Sequence, residues 1–442
     1  MSYLDTLKDK RIAVLGLGVS GLGTVRFLHA HGLEPVLIDS REQVPTRVWL
    51  DSQVPQLERR FGSLADAHLS DFDLILIGPG LALSTPEVKE AISAGVEVIG
   101  DVELFARINT KPVLAVTGSN GKSTVVSLLA NVLEFGGLHV GLGGNIGTAV
   151  LDLLAQDADA YVLELSSFQL ETTSSLQAKA ACILNLCEDH MDRYDDMNGY
   201  IAAKQRIYKG CELAVFNAHD EDTTPADTQS QISFGLDNAD YHVMLHQGEA
   251  YFAYQNTPIL ACSKTFLPGT HNRLNILAVM ALCHEFAFDA GIFERALQEF
   301  KGLDHRCQYV DTRAGVRYFN DSKATNVGAT IAAISGLSQE PGKLILIAGG
   351  DAKGADLSGL KQPLGDFVDE LICLGKDGAA IAQLKAGSHQ VKTMAEAVSL
   401  AKSLAHSGDI VLLAPACASL DMYPNYMVRG NDFAQHVQEE QS

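Results

Sequence analysis

The sequence contains no apolar run longer than a β-strand, no Cys-x-x-Cys pair, no internal repeat, no low-complexity tract, and a shortage of positive charge. Each absence narrows the field. Apolar stretches such as Leu344–Ala348 fall far short of the roughly 20 residues a bilayer-spanning helix needs, so no membrane insertion is expected. The first ten residues mix acids with bases and lack the apolar core of a secretion signal, which points to the cytoplasm. The eight cysteines lie at 182, 187, 211, 262, 283, 307, 373 and 417. Without paired spacing they support neither a zinc ribbon nor a dithiol redox motif, and reduced thiols are expected. The 33 Lys and Arg against 54 Asp and Glu leave a formal net charge of −21. A body this acidic repels polyanions, so neither nucleic-acid binding nor adhesion to anionic membranes is expected. Any phosphorylated ligand has to be held by a few local donors working against that field.

What is present is core-forming material. The 442 residues are 47% hydrophobic and 20% charged, too apolar for a disordered chain. At roughly 100–200 residues per domain, two to four domains are expected. Continuous apolar runs recur at Ile12–Leu15, Val36–Ile38, Leu74–Ile77, Val113–Val116, Tyr161–Leu165, Ala181–Leu184, Leu213–Phe216, Leu344–Ala348, Leu371–Leu374 and Ile410–Leu413. Runs of this kind, separated by helix-like stretches, mark strands buried on both faces and hence α/β architecture with parallel sheets. Three blocks follow: 1–100, 101–302 and 303–442. Residues 219–262 alternate more and read as an antiparallel excursion or a long insertion.

Two glycine-rich turns carry the chemistry. The first, Gly16-Leu-Gly-Val-Ser-Gly21, follows a predicted strand and precedes a helical stretch over 22–31. Its glycines allow close backbone approach, and the helix N-terminus offers N–H groups to a phosphate. Asp39 ends the next strand where a ribose-binding acid would sit, although a tight structural turn with a solvated Asp has the same pattern. Arg41 favours an additional anionic group or a stacked base over a plain dinucleotide. The second turn, Thr117-Gly-Ser-Asn-Gly-Lys-Ser-Thr124, is a shortened P-loop, with Val116 where the strict pattern has glycine. Small residues let backbone N–H groups wrap a polyphosphate, Lys122 meets its charge, and a Ser123 or Thr124 hydroxyl reaches Mg²⁺. This turn predicts ATP or GTP binding.

Two polar clusters stand at predicted strand ends. Glu164 is an acid inside an apolar strand, and a buried acid needs a partner or a metal. Glu188-Asp-His-Met-Asp192 crowds four ionisable groups into five positions. Mg²⁺ takes few protein ligands, so one acid and one hydroxyl suffice for a first ion. On spacing alone His190 reads equally as a hydrogen-bonded loop histidine, and Lys204 as a surface lysine on a helix.

The ordered set Thr117–Thr124, Gly144-Asn-Ile-Gly147, Glu164-Leu-Ser-Ser-Phe-Gln-Leu170, Glu188-Asp-His-Met-Asp-Arg-Tyr194, His271-Asn272 and Asn320-Asp-Ser-Lys-Ala-Thr-Asn326 resembles the Mur ligase family of bacterial peptidoglycan synthesis. The resemblance covers essentially the whole chain. It implies a Rossmann-like N-terminal domain for a UDP-sugar, a central P-loop ATPase-like domain with a mainly parallel sheet, and a C-terminal Rossmann-like domain for the incoming amino acid. Within the family, Glu164–Leu170, Gly349-Gly-Asp-Ala-Lys353 and Ala414–Asp421 match members that take D-glutamate. The implied reaction is ATP-dependent addition of D-glutamate to UDP-N-acetylmuramoyl-L-alanine through an acyl phosphate.

By position, the resemblance assigns ATP to Thr117, Gly118, Ser119, Asn120, Gly121, Lys122, Ser123 and Thr124, with Asn272 and Asn275 near the adenine and Arg306 and Asp321 on phosphates and ribose. It assigns a first Mg²⁺ to Ser123 and Glu164. A second falls to His190 and to Lys204, which is carbamylated in the family and so becomes a carboxylate-like ligand. The UDP-sugar falls to Val19, Ser20, Asp39, Ser40, Arg41, Gly80 and Asn145. D-Glutamate falls to Thr325, Lys353, Ser419, Leu420 and Tyr426, with Lys353 suited to the side-chain carboxylate and Lys323 joining the catalytic set. No residue dictates the D-configuration, and His305 receives no role. A monomer is expected. Three rivals remain: another ligase of this scaffold or a folate-extending one, an NAD(P)-dependent oxidoreductase resting on Gly16–Gly21, and a P-loop hydrolytic switch. The last two leave one nucleotide turn or the third block unexplained.

Overall fold

The computed structural model describes residues 3–187, 193–226, 230–338 and 340–439. It contains two compact units, one of Met1–Leu260 with Asn275–Phe293 and one of Ala261–Leu274 with Glu294–Ser442.

The first unit carries two sheets. The N-terminal one runs Arg59–Phe61, Val36–Asp39, Ile12–Leu15, Leu74–Ile77, Glu97–Ile99, all parallel. Its three middle strands are buried along their whole length. The two edge strands are three residues long and mostly half-buried, so they lack the continuous apolar signature and escape a reading based on it. Strand order reverses at Ile12–Leu15, and the crevice outside the carboxyl ends there is where open α/β sheets bind ligands.

The second sheet has nine strands. Val113–Thr117 lies between Ala160–Glu164 and Ala180–Ile183, with Val140–Gly144 outside the former and Leu213–Asn217 outside the latter. The apolar runs at 113, 161, 181 and 213 thus form adjacent parallel strands, because only a two-sided helix cover can bury them. In the 219–262 stretch, Gln231–Phe234 continues the parallel order, and Tyr241–His246 and Glu249–Tyr254 form an antiparallel hairpin.

Helix Val19–Ala30 ties the two sheets together. A Cβ at Gly23 would stand 2.7 Å from the Ala149 Cβ, so only glycine admits this packing. Arg26 ion-pairs with Asp152 beside it. The first glycine turn and the loop Gly144–Gly147 are therefore held against one another.

The second unit holds a six-stranded sheet in the order Gln308–Arg313, Val316–Asn320, Ile410–Leu413, Leu344–Gly349, Glu370–Leu374, His389–Gln390. All pairs are parallel except the first, which is an antiparallel hairpin. Among the described residues no helix is long and apolar enough to cross a membrane.

Candidate active site

The first turn opens onto a cavity of about 590 Å³. Gly16 has a φ of +89° and a Cβ at Gly21 would sit 1.9 Å from the Gly16 carbonyl oxygen, so the turn requires glycine at both places. All seven residues assigned to the UDP-sugar, Val19, Ser20, Asp39, Ser40, Arg41, Gly80 and Asn145, line this one cavity. Six come from the first sheet's loops and Asn145 from the second sheet's. Asp39 is buried and both its oxygens are engaged. Oδ1 accepts from the Arg41 amide at 3.0 Å and Nε at 2.8 Å, and Oδ2 from the Leu17 amide and Arg41 Nη2, each at 2.7 Å. Burial pushes this carboxyl up, but the Arg41 and Leu17 hydrogen bonds outweigh it and hold it below its ordinary value. Asp39 thus shapes the loop and aims Arg41 along the cavity, a task that spacing to a ribose does not reveal.

Beside this cavity the sequence left Asp101 unremarked, as an ordinary acid opening helix Asp101–Ile108. Its side chain is buried, and burial pushes the carboxyl up to about 6, with the Val102 amide and the side chains of Ser20 and Gln169 only partly opposing this. A folded-state pKa above the ordinary 3.8 means the native state takes up a proton, a contribution full below about pH 4 and lost as pH rises through 6. Asp101→Asn should therefore raise urea-denaturation stability at pH 8, by up to about 3 kcal/mol, and change little at pH 4. An equal shift at both pH values would refute the assignment.

The second turn is built from backbone geometry. Gly118 and Gly121 take φ of +147° and +84°, and a Cβ at Gly121 would lie 2.6 Å from Asn275 Oδ1. Asn275 therefore roofs the loop. Helix Lys122–Phe135 starts immediately after Gly121, aiming its first amides at whatever the loop encloses. Lys122 Nζ donates to the carbonyls of Gly118 and Ser119 at 2.7 and 3.0 Å. Ser119 Oγ contacts Tyr200 OH at 3.0 Å, and the Asn120 amide donates to Asn185 Oδ1 at 2.9 Å. Thr117 Oγ1 donates to the Leu165 carbonyl, and Thr124 lies half-buried in the helix's first turn.

Glu164, 3% exposed, joins the second turn to the loop Gly144–Gly147. Its Oε2 accepts from Ser123 Oγ at 2.8 Å and its Oε1 from Asn145 Nδ2 at 2.8 Å. The same asparagine lines the first cavity. A carboxylate and a hydroxyl in contact beside a polyphosphate loop are the hard oxygen donors that Mg²⁺ takes, so this pair fits a first ion. Among the described residues no three His, Cys, Asp or Glu side chains form a ready-made metal cage. His190, with 188–192, lies outside the described residues.

Lys204 departs most from its default reading as a surface lysine. Helix Met197–Gln205 turns it inward to 2% exposure, where Nζ donates to Thr117 Oγ1 at 3.1 Å and the Gly118 carbonyl at 3.0 Å.

In the second unit most of the assigned residues sit on loops that leave the carboxyl ends of neighbouring strands. Asp321, Lys323 and Thr325 follow Val316–Asn320, Lys353 follows Leu344–Gly349, and Ser419 and Leu420 follow Ile410–Leu413. Burial pushes Asp321 up to about 6, with the Cys307 amide and the exposed Arg306 pulling it back. Lys323 Nζ lies 4.1 Å from the ring centre of Tyr426, a cation–π contact. Lys353 is exposed at φ +52°, Ser419 is buried and Leu420 is exposed. Asn272 is buried and donates from Nδ2 to the Pro268 carbonyl at 2.8 Å.

His305 now has a structural account. Burial lowers its pKa, and its Nδ1 lies 3.0 Å from Asn320 Nδ2. It packs edge-on to Tyr426 and over Gly430, where a Cβ would come within 2.2 Å. Sequence reasoning missed Arg429, one turn into helix Tyr426–Gln438. It donates to Ser322 Oγ and O at 3.0 and 2.9 Å, and to the carbonyls of Cys417 and Gly349 at 3.1 and 3.5 Å. One buried guanidinium, lowered to about 10 by burial, thus clamps all three loops. Nothing in its spacing reveals that, because three of its four partners are backbone carbonyls 12, 80 and 107 residues away.

Family models described as the MurD-like N-terminal domain of Mur ligases, the Mur ligase middle domain and the Mur ligase glutamate ligase domain match residues 10–100, 116–283 and 305–417. The UDP-N-acetylmuramoylalanine–D-glutamate ligase of Pseudoalteromonas translucida is 55% identical, covering 100% of both chains. That of Shewanella oneidensis is 48% identical over 96% of this chain and 97% of its own. Among solved structures, the UDP-N-acetylmuramate–alanine ligase of Thermotoga maritima superimposes with a TM-score of 0.57 at 19% identity, covering 97% of this chain and 99% of that one, a likeness of fold.

Proposed function

This chain belongs to the Mur ligase family, and from that premise we propose that it joins D-glutamate to the carboxylate of UDP-N-acetylmuramoyl-L-alanine, converting ATP to ADP and phosphate. The observation that carries the proposal is the Asn145–Glu164–Ser123 chain, two hydrogen bonds of 2.8 Å linking the nucleotide-sized cavity to the phosphate loop. An acceptor whose UDP lies in that cavity has its far end directed toward the loop that holds ATP.

The reaction balances in two steps. A carboxylate oxygen of the acceptor attacks the γ-phosphorus of ATP and ADP leaves, giving an acyl phosphate. The D-glutamate amine then attacks the acyl carbon, loses a proton, and the tetrahedral intermediate expels phosphate as the amide forms. A carboxylate is a poor electrophile, so the first step exists to install a leaving group. The chain's task is alignment and charge stabilisation, which a phosphate loop serves. Backbone amides of 118–124 and Lys122 hold the polyphosphate, with Asn272, Asn275, Arg306 and Asp321 taking the rest of the nucleotide. Ser123 and Glu164 would hold one Mg²⁺ and His190 with a carbamylated Lys204 a second; the ions supply charge neutralisation on the transferring group. Thr325, Lys353, Ser419, Leu420 and Tyr426 would hold D-glutamate, with Lys353 on its side-chain carboxylate. Every residue invoked comes from one chain, so a monomer suffices, and soluble nucleotide substrates suit the cytoplasm.

Purified protein should release phosphate from ATP only when Mg²⁺, UDP-N-acetylmuramoyl-L-alanine and D-glutamate are present together. A screen of amino acids under those conditions is the direct test. Equal turnover with L-glutamate, or none with this acceptor, sinks the substrate assignment.

A further inference from the structure

We propose that Arg193 is a positioning residue that fixes the 78–81 wall of the first cavity and so sets the affinity for the nucleotide end of the acceptor; this rests on reading that cavity as the UDP site. Arg193 lies in a motif whose resemblance supplied no role for it. Its Nη1 donates to the Pro79 carbonyl at 3.2 Å, and its Nη2 to the Leu81 carbonyl at 3.1 Å and to Glu171 Oε2 at 2.9 Å. The guanidinium lies over the Phe168 ring, 4.3 Å from its centre. Glu171 is held from the other side by Tyr194 OH at 2.6 Å. The Arg193 and Glu171 side chains are only 14% and 18% exposed, so the pair is largely shielded from water.

The wall needs such a clamp. After strand Leu74–Ile77 the chain runs Gly78-Pro79-Gly80-Leu81, all four of which line the cavity. Two glycines leave this segment many conformations, and Pro79 has no N–H with which to tie itself down. Gly78 donates to the Leu15 carbonyl and Leu81 to the Gly78 carbonyl, but the carbonyls of 79 and 81 flank the open Gly80. The Leu81 side chain packs on Gly16, where a Cβ would come within 3.3 Å. Holding 79 and 81 therefore also braces the first glycine turn. A planar fork reaches two carbonyls two residues apart while a carboxylate balances its charge; an ammonium is a point donor without that geometry. Order fixed in advance need not be imposed on binding, so it appears as affinity.

The test uses the full-length protein and UDP as probe, followed by steady-state kinetics. Arg193→Ala should weaken UDP binding and raise the acceptor KM by about ten- to a hundredfold, with kcat and the ATP KM within about threefold of wild type. Arg193→Lys should recover part of both losses. If Arg193→Ala does not fold, Arg193→Lys carries the test, with an expected several-fold loss in UDP affinity and acceptor KM at unchanged kcat. A UDP affinity equal to wild type in the folded variant, or a fall in kcat at unchanged acceptor KM, overturns the proposal. Wild-type protein that binds no UDP overturns the reading of the cavity itself.

Discussion

Glu164→Gln should cost at least about a thousandfold in ligation rate while leaving the folded protein intact. The side chain sits where three demands meet. Its Oε2 receives the Ser123 hydroxyl, its Oε1 receives Asn145, and its charge faces the phosphate loop. Glutamine keeps the volume, and the Ser123 hydroxyl and the Asn145 amide can each reverse their hydrogen bonds to suit it. On the proposed mechanism, what is lost is a hard anionic ligand for Mg²⁺ and the electrostatic balance beside the transferring phosphoryl group. The measurement is kcat for phosphate release with all substrates present, alongside thermal unfolding of both proteins. Activity within tenfold of wild type would remove Glu164 from the metal site. Loss of folding in Gln as well as Ala would mean that its work is structural.

Lys204→Ala should abolish ligation to a similar degree, and a short carboxylic acid added to the assay should restore part of it. The buried Nζ is 3.0 Å from the Gly118 carbonyl, at the base of the phosphate loop. Addition of carbon dioxide to the neutral amine, with loss of a proton, turns a cation there into an anion with two oxygens. That is the change a second metal ligand requires. In the alanine variant the vacated space is the size of the lost side chain, and a free carboxylate entering it replaces the oxygens without the tether. Rescue by acetate, saturating with its concentration and absent in wild type, is the expected signature. Normal turnover by Lys204→Ala refutes the carbamate. Loss without rescue by any small carboxylate leaves the ammonium as the active form, since a lost cation is not replaced by an anion.

The net charge of −21 argues against polyanion partners, yet the proposed ligands are themselves anions. The two facts are compatible because attraction is local. Lys122 opens the helix after the second glycine turn, Arg306 is exposed just before strand Gln308–Arg313, Lys323 and Lys353 stand on loops that follow strands, and buried Arg429 adds charge at the loops of Ser322, Gly349 and Cys417. Screening over about 8–10 Å keeps a distant acidic coat from cancelling them.

Much of the fold was legible in the sequence. All ten continuous apolar runs form strands that pair in parallel with their neighbours in the sheets, since a run without polar alternation has no face to show to water. Both glycine turns were legible as well, because each is a contiguous segment whose backbone conformation only glycine reaches. Short edge strands such as Glu97–Ile99 were not, having half-buried faces and three residues.

The sequence by itself determined whatever is written within one local stretch: α/β class, two glycine-dependent turns, and an acid misplaced in an apolar strand. Only the tertiary structure decided which distant residues serve them. It brought Asn145 and Ser123 to the two oxygens of one carboxylate, turned Lys204 inward from a helix of ordinary composition, and spent Arg193 and Arg429 on backbone carbonyls of remote loops. The reason is physical. Side-chain periodicity and turn chemistry act over a few residues, whereas a hydrogen bond to a carbonyl is indifferent to the identity of the residue that carries it and so leaves no mark in the sequence at either end.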